Sequence, residues 1–277
     1  MKVNYIETSI SAPEVLREQV LALLANIGYS AFEDTESGIN AYIEEPEFDQ
    51  ETFDHTLALF EGQGVTYVHQ SIKSQNWNEQ WENSYPSVMI DNFCQIIPSF
   101  RKPEPDFAYT ITIDPKMSFG TGHHETTRLM IRLMKNMDMQ GKTVLDMGCG
   151  TGVLGILGSQ IGAQSVTGID IDHWSYENAR ENVSINKTEN IEIILGDSSV
   201  IPDQKFDIIL ANINRNVLLE DLPIYATRLK NGGLLAMSGY YLQDQKLLIQ
   251  AAKPLNLELV SSEEDNQWLA MTFKQMS

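Results

Sequence analysis

The chain has 277 residues, 42% of them apolar and 21% charged, which marks ordinary globular material and excludes a disordered chain. It carries 38 acidic against 19 basic residues, a net charge of −19. Such acidity argues against non-specific binding to nucleic acid or an anionic membrane, and fits either a basic partner or plain solubility. Two cysteines, Cys94 and Cys149, are too few for a disulfide framework or a zinc site. The opening MKVNYIETSI has no basic segment followed by an apolar run. No apolar stretch approaches the ~20 residues that span a bilayer. The expectation is a cytoplasmic protein, and a monomer.

The charge is unevenly placed. Residues 1–84 hold 3 basic and 15 acidic residues, a net −12, and residues 85–277 hold 16 and 23. Uniform solubilisation does not predict that asymmetry, so the N-terminal segment reads as a separate module facing a basic surface. Its elements run in order. Val3–Ile10 is a strand. Ser11, Pro13 and Glu14 form a capping box ahead of a helix with an apolar stripe through Val20, Leu24 and Ile27, stopped at Gly28. Strands follow at Ser30–Asp34 and Ile39–Glu44, a helix at Glu51–Gln63, and a strand at Val65–Ile72. The order β-α-β-β-α-β is that of a small ferredoxin-like α+β domain over residues 1–73. It shows no catalytic constellation, and His55 and His69 read as structural.

Residues 74–85 read as a linker helix, with Trp77 and Trp81 on one face. Pro86–Ile97 and Phe107–Ile113 read as strands. From Thr126 onward the pattern is regular: helices at Thr126–Asn136, Val153–Ile161, Trp174–Asn186, Val217–Leu229 and Gln243–Ala252 alternate with strands at Thr143–Asp146, Ser165–Asp170, Ile191–Leu195, Phe206–Ala211 and Gly233–Ser238. Two further strands, Leu257–Ser261 and Trp268–Lys274, close it as an antiparallel hairpin. Residues 86–277 are therefore an α/β, Rossmann-like domain with a doubly wound, seven-stranded sheet. Ligands in such sheets sit at the carboxyl ends of the strands.

The segment Val144-Leu-Asp-Met-Gly-Cys-Gly-Thr-Gly152 is a buried strand running into a glycine loop. Gly148, Gly150 and Gly152 permit tight turns and a close ligand approach. A P-loop is excluded, because Gly141-Lys-Thr143 has Asn136 where the motif needs glycine and precedes its strand. Gly150-Thr-Gly-Val-Leu-Gly155 formally matches a dinucleotide fingerprint, which leaves a nicotinamide-dependent oxidoreductase open. Asp146 at the strand end would repel a pyrophosphate and suits a cationic, phosphate-free ligand such as S-adenosylmethionine. Asp170 ends the next strand, where an acid accepts both ribose hydroxyls in either nucleoside reading. Asp197 follows the third strand, placed for an adenine amino group or as a simple turn aspartate. Asn212 follows the fourth, where its amide oxygen can accept hydrogens from an amine awaiting methylation. Cys149 is a small loop residue with no sign of a nucleophile.

Asp114-Pro-Lys-Met-Ser-Phe-Gly-Thr-Gly-His-His-Glu-Thr-Thr127, together with the glycine loop, Gly168-Ile-Asp-Ile-Asp172 and Ala211-Asn-Ile213, resembles the ribosomal protein L11 methyltransferase (PrmA) family. The resemblance implies a class I methyltransferase fold with S-adenosylmethionine as cofactor. The family's cofactor residues match at Thr127, Gly148, Asp170 and Asn212, with Thr127 at the cofactor's amino-acid end; the loop and strand-end readings above add Gly150 and Asp197 to the expected cofactor residues and make Asn212 the expected catalytic residue. Phe119 and Thr121 would shape the pocket, and His123 or His124 is a candidate proton relay. The implied reaction is methylation of lysine side-chain and N-terminal amines on L11, a basic ribosomal protein held by the N-terminal module. No direct nucleic-acid or membrane partner is expected. Methylation of a different protein lysine is the alternative of the same class. Two departures from the family pattern stand out: His124-Glu125, where Thr-Pro is frequent, and Asn214-Arg215-Asn216 beside the acceptor site.

Overall fold

The computed structural model describes residues 4–35, 37–72, 86–114 and 119–277. The segment read above as a Trp-bearing linker helix lies outside them. The chain divides into two compact units, Met1–Tyr85 and Pro86–Ser277.

The first unit contains β1 (Tyr5–Ser11), α1 (Glu14–Asn26), β2 (Ala31–Thr35), β3 (Gly38–Glu44), α2 (Gln50–Leu57) and β4 (Thr66–Ile72). The sheet order is β2-β3-β1-β4 with every neighbouring pair antiparallel, a split βαβ arrangement. Alternation decides the faces. Ile6, Thr8 and Ile10 of β1 point inward, under Val20 and Leu24 of α1 and Phe53 and Leu57 of α2. Thr8 is the polar exception, and its hydroxyl is satisfied by Tyr29 Oη at 2.7 Å and His69 Nδ1 at 2.9 Å. His69 is therefore a packed residue, its ring against Phe53 and Phe48.

Two expectations here need correction. Ser11 does not cap α1. It pairs with Gly38 and Thr66 as the last residue of β1, so its backbone is committed to two ladders, and α1 starts after Pro13 without a side-chain cap. The second helix is shorter than its apolar pattern, because the chain tightens into a 3₁₀ turn at Ala58–Phe60. Asp49 caps it, accepting from the Thr52 amide.

The second unit holds two sheets. Pro86–Ile97 is not one strand: Asp91 takes φ 50° and turns the chain, giving β5 (Val88–Ile90) and β6 (Cys94–Ile97), with β7 (Tyr109–Thr112) pairing parallel to β6. The large sheet comprises β8 (Thr143–Met147), β9 (Ser165–Asp170), β10 (Ile191–Leu195), β11 (Phe206–Asn212), β12 (Leu229–Tyr241), β13 (Leu257–Asp265) and β14 (Trp268–Gln275). Its order is β10-β9-β8-β11-β12-β14-β13. The first five strands in that order run parallel, and β14 lies antiparallel between β12 and β13. The helices are α3 (Glu125–Lys135), α4 (Val153–Ile161), α5 (His173–Ile185), α6 (Arg215–Arg228) and α7 (Gln245–Ala252).

Strand residues divide between two cores. Val144, Ile208, Leu210 and Ala236 face α3 and α4, while Leu145, Met147, Ile209, Ala211 and Leu235 face α6 and α7. A sheet covered on both faces needs continuous apolar strands, as β8 and β11 have. The strand order reverses between β8 and β11, so a crevice opens at their carboxyl ends.

Candidate active site

A cavity of about 520 Å³ occupies that crevice. Its wall comes from the carboxyl ends of β8, β9, β10 and β11, closed by α6, by Gly239 of β12 and by Phe119, His124 and Trp268. Of the residues expected from the sequence, Gly148, Gly150, Asp170, Asp197 and Asn212 all line it. Thr127 does not. Helix α3 turns its neighbour Thr126 to the cavity, and Thr127 is fully buried with a hydroxyl that has no partner among the described residues.

The glycine loop builds the floor. Gly148 and Cys149 both donate their amides to the Ile169 carbonyl, at 2.8 and 3.0 Å, which curls the loop over the end of β9. Gly148 and Gly150 have φ of 65° and 54°, a region that strains any other residue. A Cβ on Gly148 would overlap Ile213, and one on Gly150 would overlap the Phe119 carbonyl. Gly152, at φ 78°, opens α4.

Asp146 does not meet a ligand. It is buried beneath the loop, off the cavity wall, and its Oδ2 accepts from the Gly155 amide at 2.9 Å. Burial, opposed by that hydrogen bond and aided by the nearby Asp170, pushes its carboxyl up to about 7. Its work is to fix the first turn of α4. The electrostatic argument against a pyrophosphate passes to three other carboxylates, Asp170, Asp197 and Asp221, which line the cavity. No Lys or Arg stands beside them among the described lining residues. That wall suits a cation and repels a phosphate.

Asp170 is held from both sides. Oδ2 accepts from the Gly150 amide at 2.8 Å and Oδ1 from the Asp172 amide at 3.0 Å, so the carboxylate plane is fixed and each oxygen keeps a lone pair for a hydroxyl. Asp197 is both things the sequence allowed. Its Oδ1 accepts from the Ser199 amide and hydroxyl, a turn cap that lowers its pKa, and it also lines the cavity. The Asn212 Oδ1 is buried without a partner among the described residues. An unmet buried acceptor costs about 1–3 kcal/mol, which a bound donor would recover.

His124 caps α3: its Nδ1 accepts from the Thr126 amide at 3.3 Å and meets the Thr126 hydroxyl at 2.9 Å. Its ring sits between Phe119, with centroids 5.3 Å apart, and Trp268, at 4.8 Å. The unusual Asn214 caps α6, accepting from the Val217 amide, and Arg215 pairs with Asp244 at 2.8 Å. Cys149 is buried, and desolvation drives its thiol well above the usual range, so it is no nucleophile.

Sequence reading missed Trp268, Gly239 and Asp221. Trp268 was read only as the start of a strand. It follows a tight turn in which Asn266 and Gln267 both take positive φ, and that turn delivers it to the cavity. Asp221 is revealed by a tertiary partner, the Ser198 hydroxyl at 2.7 Å, beside a within-helix bond from the Tyr225 hydroxyl at 3.0 Å.

Known proteins agree with this geometry. A family model described as ribosomal protein L11 methyltransferase (PrmA) matches residues 5–276. The ribosomal protein L11 methyltransferase of Phocaeicola vulgatus is 41% identical over 277 residues, covering 98% of this chain and 99% of the relative. That of Porphyromonas gingivalis is 42% identical over 264 residues, covering 94% and 91%. Among solved structures, the ribosomal protein L11 methylase from Lactobacillus delbrueckii subsp. bulgaricus matches with a TM-score of 0.65 at 26% identity, over 70% of this chain and 100% of that one. The nicotinamide alternative falls with these matches. The sheet is that of a class I methyltransferase, and the chain belongs to the ribosomal protein L11 methyltransferase (PrmA) family.

Proposed function

We propose that this chain methylates lysine side-chain and N-terminal amines of ribosomal protein L11, using S-adenosylmethionine, in the cytoplasm and as a monomer. The observation that carries the reading is the cavity: a glycine floor, two strand-end carboxylates, a third from α6, and an amide oxygen with no partner among the described residues. The cofactor, when bound, supplies a methyl group on a cationic sulfonium, open to attack by an amine.

The residues present fit that cofactor. Gly148 and Gly150 line the cavity with bare backbone, and a Cβ on either would displace Ile213 or the Phe119 carbonyl, both from residues of the same wall. Asp170 would take the ribose hydroxyls on its two fixed oxygens. Asp197 would take the adenine amino group, its Oδ2 standing outside the turn that Oδ1 makes with Ser199. Thr127 is left out of this assignment, because it is off the wall.

A free lysine amine has a pKa of about 10.4 and must lose a proton before it can attack. Phe119 and Trp268 at the cavity favour the neutral form by excluding water. Asn212 Oδ1 accepts an N–H of that amine and orients its lone pair. Positioning of this kind supplies most of the barrier reduction in a displacement that needs no covalent help from the enzyme. His124, with Nδ1 engaged at the α3 cap, has its ring as an aromatic wall more than as a relay.

Residues 1–73 are the recognition module in this reading. The net −12 of residues 1–84 suits a basic protein, and within the first unit Glu7 and Glu33 lie on the sheet face opposite the helices. Asp170→Ala tests the cofactor assignment. Titration calorimetry with S-adenosylmethionine should show affinity reduced at least about thirtyfold, the loss of two charge-assisted hydrogen bonds. Unchanged affinity would sink the ribose role.

A further inference from the structure

The glycine loop carries a residue that faces away from the cavity. Thr151 is 0% exposed and sits between Gly150 and Gly152. All three of its polar groups are used. Its amide donates to the Phe119 carbonyl at 3.0 Å, and its hydroxyl donates to the Gly120 carbonyl at 2.7 Å. Its own carbonyl accepts from Asn182 Nδ2 at 2.9 Å. Asn182, also 0% exposed, lies on α5 one turn before Asn186. Asn186 donates to the Asn182 carbonyl at 2.8 Å and clamps β7, accepting from the Thr112 amide at 2.8 Å and donating to its carbonyl at 2.7 Å.

These bonds form one continuous chain, fully buried at the Asn182–Thr151 link and half-buried elsewhere, from β7 through α5 to Thr151, and from Thr151 to two consecutive carbonyls of the segment that carries Phe119. The two glycine segments also interlock sterically. A Cβ on Gly150 would overlap the Phe119 carbonyl, and one on Gly120, at φ 103°, would come within 2.8 Å of the Thr151 hydroxyl. Phe119 lines the cavity, yet 54% of it is exposed, so packing alone holds it weakly. Its backbone is tied by the two bonds from Thr151, and its ring meets His124.

We infer that Thr151, backed by Asn182, is a positioning residue for the methyl-transfer reaction: its hydroxyl fixes the Phe119–Gly120 backbone as a wall of the cofactor cavity. The inference rests on reading that cavity as the S-adenosylmethionine site. Thr151 touches neither cofactor nor amine. Its hydroxyl acts through Phe119, and so it governs how tightly the cofactor is held and how well water is kept from the amine, not the affinity for the protein substrate.

Thr151→Val keeps the volume and the amide bond and removes only the hydroxyl. Calorimetry on the full chain should show S-adenosylmethionine bound about tenfold more weakly, the worth of one buried hydrogen bond. KM for S-adenosylmethionine should rise by the same factor, with KM for the protein substrate unchanged and the melting temperature of the apo chain within a few degrees. Thr151→Ser should restore affinity to within about twofold of the parent, since it keeps the donor. Gly120→Ala keeps the Thr151 side chain but sets a Cβ against its hydroxyl, displacing the same carbonyl from the outer segment, and should give the same loss if Thr151→Val does not fold. A merely structural role would lower the melting temperature of Thr151→Val and leave the affinity of the folded protein at the parent value. That result, or a Thr151→Ser variant as weak as Thr151→Val, overturns the inference. Asp170→Ala in the same series separates the two claims: if it binds normally the cavity reading fails, and if it alone loses affinity only the Thr151 role fails.

Discussion

Asp146 shows how one acid can support a site without entering it. Its carboxyl rises from the ordinary 3.8 to about 7 because burial penalises the charged form more than the Gly155 amide stabilises it. A raised folded value means that the folded chain holds a proton the unfolded chain has released. This contribution to stability is complete below the unfolded value and is lost as pH rises through about 4 to 7. Asp146→Asn cannot titrate there. Its melting temperature should change less between pH 5 and pH 7 than that of the parent, and parallel curves would show that Asp146 is ionised throughout. Asn212 is the residue that the proposed reaction sets against the amine. Asn212→Leu should lower kcat about a hundredfold through lost orientation of the amine, with the fold intact by circular dichroism.

At the scale of elements, the site is a set of strand ends and the turns that follow them. Gly239 illustrates the tolerance. It has φ 101°, and a Cβ there would overlap the Ile213 carbonyl beside Asn212. Gly239→Ala should cost about 1–3 kcal/mol in urea unfolding and disturb the cavity, which Gly239 and Ile213 both line. The parallel strands and their helices were legible because their apolar runs and caps are local signals; Val153–Ile161, Ser165–Asp170 and Ile191–Leu195 match the expected bounds. Gly148, Gly150, Asp170, Asp197 and Asn212 were legible as strand-end residues for the same reason. Ser11 was misread because a capping pattern says nothing of two competing ladders. Asp146 was misplaced because sequence cannot tell a strand-end acid that faces the ligand from one that faces the helix behind it. Thr127 was displaced by one helical position, a rotation of about 100° that only packing fixes.

At the scale of the molecule, two units divide the charge. The first 84 residues carry a net −12 of the −19. A recognition module of that sign should bind a basic protein with marked salt dependence, and affinity for L11 should fall about tenfold or more between low and high ionic strength. An affinity indifferent to salt would assign the acidity to solubility alone. In the second unit, three acids line the cavity, where their charge suits a small cation. Purified chain, S-adenosylmethionine labelled in the methyl group and unmethylated L11 should give L11 bearing label on lysine side chains and its N-terminal amine, located by peptide mass spectrometry and abolished by Asp170→Ala. Unlabelled L11, in a reaction where another basic protein from the same lysate takes the label, would contradict it.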